Sequence, residues 1–246
     1  MIITICEDEQ SLGQAAAEKI TRLLNDAIML KGRANLLMST GASQFSTIAA
    51  LIDSDVDWGK VTMFHLDEYV GLPETHPASF RKYLKERFAT KVPLGRAVYI
   101  DGEGDVGESI RILNEEISRR PIDIGIIGIG ENAHIAFNDP PADFNAIGAF
   151  HVVELSEDCK RQQVNEKWFA SVNDVPERAI SITPGQIMKC GGIVSPVPGI
   201  RKANAIRATL NAERTDPNIP ATLLKEHSDF YLFLDEESAR GVREMH

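Results

Sequence analysis

Short apolar runs alternate with helical patterns almost from one end of the chain to the other, and this alternation limits the possible folds more than any other feature. Met1–Cys6, Asn35–Met38, Val61–Leu66, Val98–Ile100, Ile122–Ile127, His151–Leu155, Ala179–Thr183, Ile193–Pro196 and Phe230–Leu234 read as strands. Between them the spacing predicts helices over Glu9–Leu30, Gln44–Ile52, Ser79–Phe88, Val106–Arg119, Glu157–Trp168 and Arg201–Leu210. Pro184 stands well for a helix start, and a short helix is expected after Leu234. Strand–helix alternation of this kind predicts an α/β protein with a mostly parallel, doubly wound central sheet. No linker, repeat or low-complexity segment interrupts it, so one domain over residues 1–246 is expected.

The bulk properties narrow the function classes. The formal net charge of −10 argues against nucleic acid or an anionic membrane as the main partner. It leaves room for an anionic small molecule, because a few local cations can hold one phosphate. Cys6, Cys159 and Cys190 are scattered, odd in number and free of metal-type or redox-type pair spacing, as expected of free thiols in a reducing compartment. The start, Met1-Ile2-Ile3-Thr4-Ile5, lacks the basic flank of a signal peptide, and no apolar run approaches the roughly 20 residues of a membrane span. A cytoplasmic protein with no membrane partner is the expectation.

Four segments carry groups able to do chemistry. In Gly128-Ile129-Gly130-Glu131-Asn132-Ala133-His134-Ile135-Ala136-Phe137-Asn138-Asp139-Pro140, the buried run Ile122–Ile127 feeds into a glycine turn followed by an imidazole and short polar side chains. In open α/β sheets, ligands sit at such strand ends. A histidine near its ordinary pKa can take and return a proton at neutral pH. No second histidine stands at a short ligand spacing, so a metal site is not expected. In Ser39-Thr40-Gly41-Ala42-Ser43 a strand stops, a small-residue turn follows and a helix starts. Alone, that reads either as a phosphate cradle of amides and hydroxyls or as a plain helix cap. It is not a Walker A loop, since no Gly-Lys-Ser/Thr follows at the required spacing. In Asp67-Glu68-Tyr69, two adjacent carboxylates end a strand, one free to face a site while the other bonds backbone, or both simply forming a turn. Lys202 begins a helix, and Lys160, Arg161 and Lys167 lie on another. If the Ser39–Ser43 loop holds phosphate, one or two of these cations must reach it.

In this order the segments resemble the glucosamine-6-phosphate deaminase (isomerase) family. The carriers are Ser39-Thr40-Gly41, Asp67-Glu68-Tyr69-Val70-Gly71-Leu72, and Gly128-Ile129-Gly130 through His134-Ile135-Ala136-Phe137-Asn138, the last string being the most specific. Val175-Pro176, Arg201-Lys202-Ala203 and Phe233-Leu234-Asp235-Glu236 echo it, so the likeness covers essentially the whole chain. The related 6-phosphogluconolactonases share the fold, but their histidine is followed by a Thr-Ala-Ser-Leu-Phe type string that is absent here. The resemblance implies a three-layer Rossmann-like sandwich without a nucleotide, and a cofactor-free conversion of an amino-sugar 6-phosphate to a ketose 6-phosphate and ammonia. It implies Asp67 as the base that moves a proton between C2 and C1, and His134 as the group that opens the pyranose ring. Asn132 and Asp139 take the positions that orient and tune that histidine. Thr40 to Ser43, with Ser39 beside them and Lys202, take the phosphate, and Lys167 falls near a phosphate-binding arginine once a small gap is allowed. Assembly varies within the family, so a homo-oligomer stays open. Galactosamine 6-phosphate, the C4 epimer, is the alternative substrate; another sugar-phosphate isomerase, a 6-phosphogluconolactonase and a sugar-phosphate sensor that has lost catalysis are the competing readings.

The chain departs from the family pattern at three positions near the histidine. Asn132 stands where many members have Asp, and an amide cannot stabilise an imidazolium as a carboxylate can. Asp139 stands where Glu is common, and its shorter arm is expected to move the oxygens by about an ångström unless the backbone compensates. Ala133 replaces a glycine, so either this turn differs or the glycine never needed a left-handed backbone. Pro140–Ala149 is also unlike the effector-binding segment of the better-known branch, and allosteric control is not carried over.

Overall fold

The computed structural model describes residues 1–242. In chain order the elements are β1 (Ile2–Cys6), α1 (Glu9–Lys31), β2 (Ala34–Met38), α2 (Phe45–Ile52), β3 (Val61–His65), β4 (Asp67–Tyr69), α3 (Phe80–Leu84), β5 (Arg96–Ala97), α4 (Val106–Arg119), β6 (Ile124–Ile126), β7 (Phe150–Glu154), α5 (Glu157–Asn165), β8 (Arg178–Ile182), α6 (Pro184–Ile187), β9 (Gly192–Val197), α7 (Ala203–Asn211) and β10 (Phe230–Asp235). Local chemistry sets several boundaries. Asp8 accepts the Ser11 amide at 2.7 Å to cap α1, and Gly32 ends that helix in the left-handed region at φ 73°. Gly13 lets α2 pack closely on α1, since a Cβ there would lie 2.6 Å from Ser46. Asp105 caps α4 by accepting the Glu108 amide at 2.9 Å.

Seven strands form one parallel sheet in the order β1-β10-β9-β6-β2-β3-β5. Side chains of β2 alternate between its two faces: Leu36 and Met38 join the core beneath α1 and α2, and Leu37 joins the core on the opposite face. The result is the expected helix–sheet–helix sandwich. From β2 the chain proceeds through β3 to β5 at one edge, whereas from β6 it proceeds through β9 to β10 on the other side. Between β2 and β6 the winding reverses, which opens a crevice at the carboxyl ends of those strands. β3 and β9 deliver their own carboxyl ends to the same edge. Among the described residues no helix is long and apolar enough to cross a membrane.

Four local expectations are corrected. The strands around His151–Leu155 and Ala179–Thr183 do not join the parallel sheet; β7 and β8 form a separate antiparallel sheet with β4, in the order β4-β8-β7. The strand expected at Val98–Ile100 is ladder-paired at Arg96–Ala97 instead, and the Ile100 amide donates to His65 Nε2 at 2.9 Å rather than to a neighbouring strand. The helix expected to reach Trp168 ends at Asn165, and Lys167 turns left-handed at φ 64°. Past Asp235 the chain makes turns over 236–241 instead of a helix, and residues 243–246 of that expected helix lie outside the described residues.

Candidate active site

At the β2/β6 crevice lies a cavity of about 420 Å³. The loop after β2 supplies Ser39, Thr40, Gly41, Ala42 and Ser43 to its wall. Gly41 sits at φ 100°, a backbone that favours glycine, and its carbonyl accepts the Tyr83 hydroxyl at 2.8 Å, which pins the loop to α3. The Ser39 hydroxyl is buried and has no partner among the described residues. Behind the loop, Gln44 Nε2 donates to Ser43 Oγ at 3.1 Å and to the Pro196 carbonyl at 3.3 Å, tying it to β9.

The two carboxylates after β3 have divided their tasks. Glu68 is fully buried and accepts from the amides of Tyr69, Phe80 and Arg81, from Ser79 Oγ at 2.9 Å and from Arg81 Nε at 3.3 Å. It locks the β4–α3 connection. Asp67 lines the cavity instead. Burial, reinforced by the neighbouring Glu68 charge, pushes its carboxyl up to about 8.

His134 reaches the same cavity from the turn after β6. Its backbone amide donates to Asn132 Oδ1 at 3.2 Å, and its Nδ1 lies 2.7 Å from the same oxygen. An amide N–H can meet only an acceptor, so the Asn132 oxygen faces the ring and the ring proton belongs on Nδ1. Nε2 is left as the group that can exchange a proton. Asn132 Nδ2 then donates to Asp139 Oδ1 at 3.1 Å, and that same carboxylate oxygen is 3.3 Å from His134 Nδ1. Ser156, which caps α5, donates to Asp139 Oδ2 at 2.6 Å. Burial alone would raise Asp139, but the bonds and charge from His134, with Ser156 and Asn132, bring it down to about 2.

This geometry resolves the three departures. The amide at position 132 does not leave the imidazole without a carboxylate, because Asp139 stands beside Nδ1 despite its shorter arm. Ala133 is left-handed at φ 66° and Ala136 at φ 52°, so the turn keeps a glycine-like backbone with alanines in it. Gly130 is needed for a different reason: a Cβ there would lie 2.2 Å from the His134 ring.

One cavity therefore gathers Ser39 to Ser43, Asp67, His134 and Lys202. Asn132 and Asp139 stand behind His134 and do not line it. Lys167 is not brought in: it is exposed, stands in a left-handed turn and lies outside the cavity wall. Lys202 follows Gly199, which takes φ 91° while its amide donates to both oxygens of Asp235 at 3.0 and 2.8 Å. Burial lowers the Lys202 ammonium, opposed by the charges of Glu166 and Glu131.

The matching family model, described as glucosamine-6-phosphate isomerases/6-phosphogluconolactonase, spans residues 7–232. The chain belongs to this family. A glucosamine-6-phosphate deaminase of Bacillus cytotoxicus is 32% identical over 97% of this chain and 88% of its own length. One from Streptococcus pneumoniae is 33% identical over 85% of this chain and 88% of its own. A solved monomeric glucosamine-6-phosphate deaminase superposes with a TM-score of 0.87 at 28% identity, covering 97% of this chain and 99% of that one. The 6-phosphogluconolactonase of Trypanosoma brucei, at a TM-score of 0.81 and 15% identity over 98% of each chain, shares the fold.

Within this family member the cavity also has a wall that the motifs did not reveal. Gln162, Gln163, Glu166 and Trp168 come from the end of α5 and the turn after it. Gln163 accepts the Tyr69 hydroxyl at 2.9 Å, while Glu166 accepts from Gln162 Nε2 at 2.8 Å and from the Trp168 indole at 3.2 Å. The available signal was weak, because polar residues on a surface helix look alike whichever way they face. Arg201, beside Lys202, lines the cavity as well.

Proposed function

We propose that the protein is an amino-sugar-phosphate deaminase that converts glucosamine 6-phosphate and water to fructose 6-phosphate and ammonia. The reading rests on family membership together with one observation: a single hexose-sized cavity is lined at once by the Ser39–Ser43 loop, Asp67 and His134. His134 Nε2 serves the ring oxygen, passing a proton as the pyranose opens to the aldehyde. Asp67, as carboxylate, takes the proton from C2 and returns it at C1, leaving an imine at C2. Water adds to that carbon and ammonia departs, giving the ketose. Below about pH 8 the empty site holds Asp67 protonated, and a substrate ammonium beside it favours the charged form that the reaction needs. Asn132 and Asp139 hold the His134 ring in the required tautomer, and the phosphate, remote from C1 and C2, supplies binding energy that fixes the reacting end. The phosphate itself rests on the amides and hydroxyls of Ser39, Thr40, Gly41, Ala42 and Ser43, and on Lys202. The reading needs no cofactor and suits a cytoplasmic enzyme acting as one domain.

A coupled ammonia assay tests the proposal on glucosamine 6-phosphate and on its C4 epimer, galactosamine 6-phosphate, which presents the same C1, C2 and phosphate. Asp67→Asn and His134→Gln are each expected to cost roughly 10²- to 10⁴-fold in kcat. Activity that survives both substitutions removes the site assignment. Sugar-phosphate affinity without turnover selects a sensor, and hydrolysis of 6-phosphogluconolactone alone selects a lactonase.

A further inference from the structure

A phosphate monoester is a dianion, and the cavity that is proposed to hold it has one lysine deep in its wall. The other cation expected from the family likeness, Lys167, lies outside. The same turn places Glu166 in the wall, held on both sides by Gln162 and Trp168, so a fixed negative charge faces Lys202. Lys202 alone would have to balance both that carboxylate and a dianion. Arg201 lines the same cavity and is spent on very little. Its only ion pair among the described residues runs from Nε to Glu131 Oε1 at 3.5 Å. Its terminal nitrogens have no partner among the described residues, and its side chain is 58% exposed. A guanidinium can offer paired donors to a phosphate, whereas an exposed ion pair at this distance holds weakly.

Resting on the sugar-phosphate reading of this cavity, the geometry points to Arg201 as the second phosphate cation. In the empty site it is parked on Glu131, and it leaves that carboxylate to clamp the substrate phosphate opposite Lys202. Glu131 is then a competitor for Arg201, not a support for it. It directly precedes Asn132, the residue that holds His134, so the exchange happens beside the catalytic turn without altering the groups that touch the ring.

Titration calorimetry with inorganic phosphate and with fructose 6-phosphate, on the wild type and on Arg201→Gln, Glu131→Gln and Lys167→Gln, tests this. Trp168 fluorescence gives a second readout from the cavity wall. Arg201→Gln is expected to weaken both ligands about tenfold and to raise KM for the amino sugar phosphate with kcat held. Glu131→Gln is expected to tighten them by about two- to threefold, because it frees the arginine. A merely structural pair predicts the same direction for both variants, since each deletes it, so weakening by Glu131→Gln overturns the inference. So does a tenfold loss with Lys167→Gln while Arg201→Gln binds like the wild type. Failure of the wild type to bind either phosphate compound at millimolar concentration would instead sink the sugar-phosphate reading itself.

Discussion

Asp67, buried in the cavity wall that His134 also lines, and Asp139, partly buried behind that imidazole, are driven in opposite directions. No hydrogen bond to the Asp67 carboxyl is found among the described residues, and the next residue is another acid; its carboxyl rises to about 8. Asp139 has Ser156 Oγ at 2.6 Å, Asn132 Nδ2 at 3.1 Å and His134 Nδ1 at 3.3 Å, and falls to about 2. Burial raises both. The donors decide the outcome: without them the carboxyl keeps its proton up to about pH 8, and with them it keeps its charge down to about pH 2.

The largest expected effect exploits that opposition. A carboxyl raised in the fold costs stability as pH rises from its unfolded value, about 4, to its folded one, and the cost is complete above about 8. Asp67→Asn should therefore be more stable than the wild type at about pH 8, by on the order of 5 kcal/mol, and should converge with it near pH 4. Asp139 has the reverse sign: its contribution is full above about pH 4 and is lost as pH falls toward about 2. Asp139→Asn should be less stable by about 2 kcal/mol at neutral pH, with the gap closing in acid. Melting curves across pH for both variants check this, and gaps of the same sign would break the contrast. A carbon-13 NMR titration of the empty protein should show a carboxyl with a midpoint near 8 that vanishes in Asp67→Asn.

A middle-sized effect is expected from exchanging the donor that separates the two behaviours. Asn132→Asp removes the amide that donates to Asp139 and sets a second carboxylate beside the first. At neutral pH it should destabilise the protein by about 1–3 kcal/mol, and the loss should shrink as acid protonates one of the pair. A variant as stable as the wild type at every pH would show that the charge on Asp139 depends on Ser156 and His134 alone.

These contrasts also show where reading the sequence stops. Strand–helix alternation was enough to anticipate the parallel sheet, and the carboxyl ends of β2, β3, β6 and β9 carry the motifs that the residues themselves advertise. The division of labour between Asp67 and Glu68 was legible as a possibility, but which acid faced which way depended on the N-terminus of α3, folded back onto Glu68. The antiparallel β4-β8-β7 sheet was hidden because β4 is only Asp67-Glu68-Tyr69, which reads as the end of β3, and because short β-branched runs such as β7 and β8 do not specify the direction in which they pair. Glu166 and Gln163 were hidden because polar residues at a helix end look alike whichever side meets the cavity. The expected cation at Lys167 stands in a left-handed turn outside the wall, and the acid before it, Glu166, lines the cavity.

The smallest effect concerns the turn that carries His134. Ala133 at φ 66° occupies a region that costs an L-residue roughly 1–2 kcal/mol, and Ala136 nearby does the same at φ 52°. The shape persists because the Ala133 carbonyl accepts the Ala221 amide at 2.9 Å, the Gly130 carbonyl accepts the Ala133 amide at 3.0 Å, and the Ala133 side chain is buried in the core. Ala133→Gly removes the steric cost but loosens the unfolded chain by about 0.4–1 kcal/mol and gives up the buried methyl. The net should be a gain of about 0.5 kcal/mol at most, read by denaturant melts, with kcat within about twofold of the wild type. A clear loss of stability would mean that the methyl packing outweighs the strain. A fall in kcat with unchanged stability would mean that the alanine, and not only the Asn132 and Asp139 bonds, holds the imidazole in place, and that the difference between the two carboxylates depends on backbone rigidity as well as on donors.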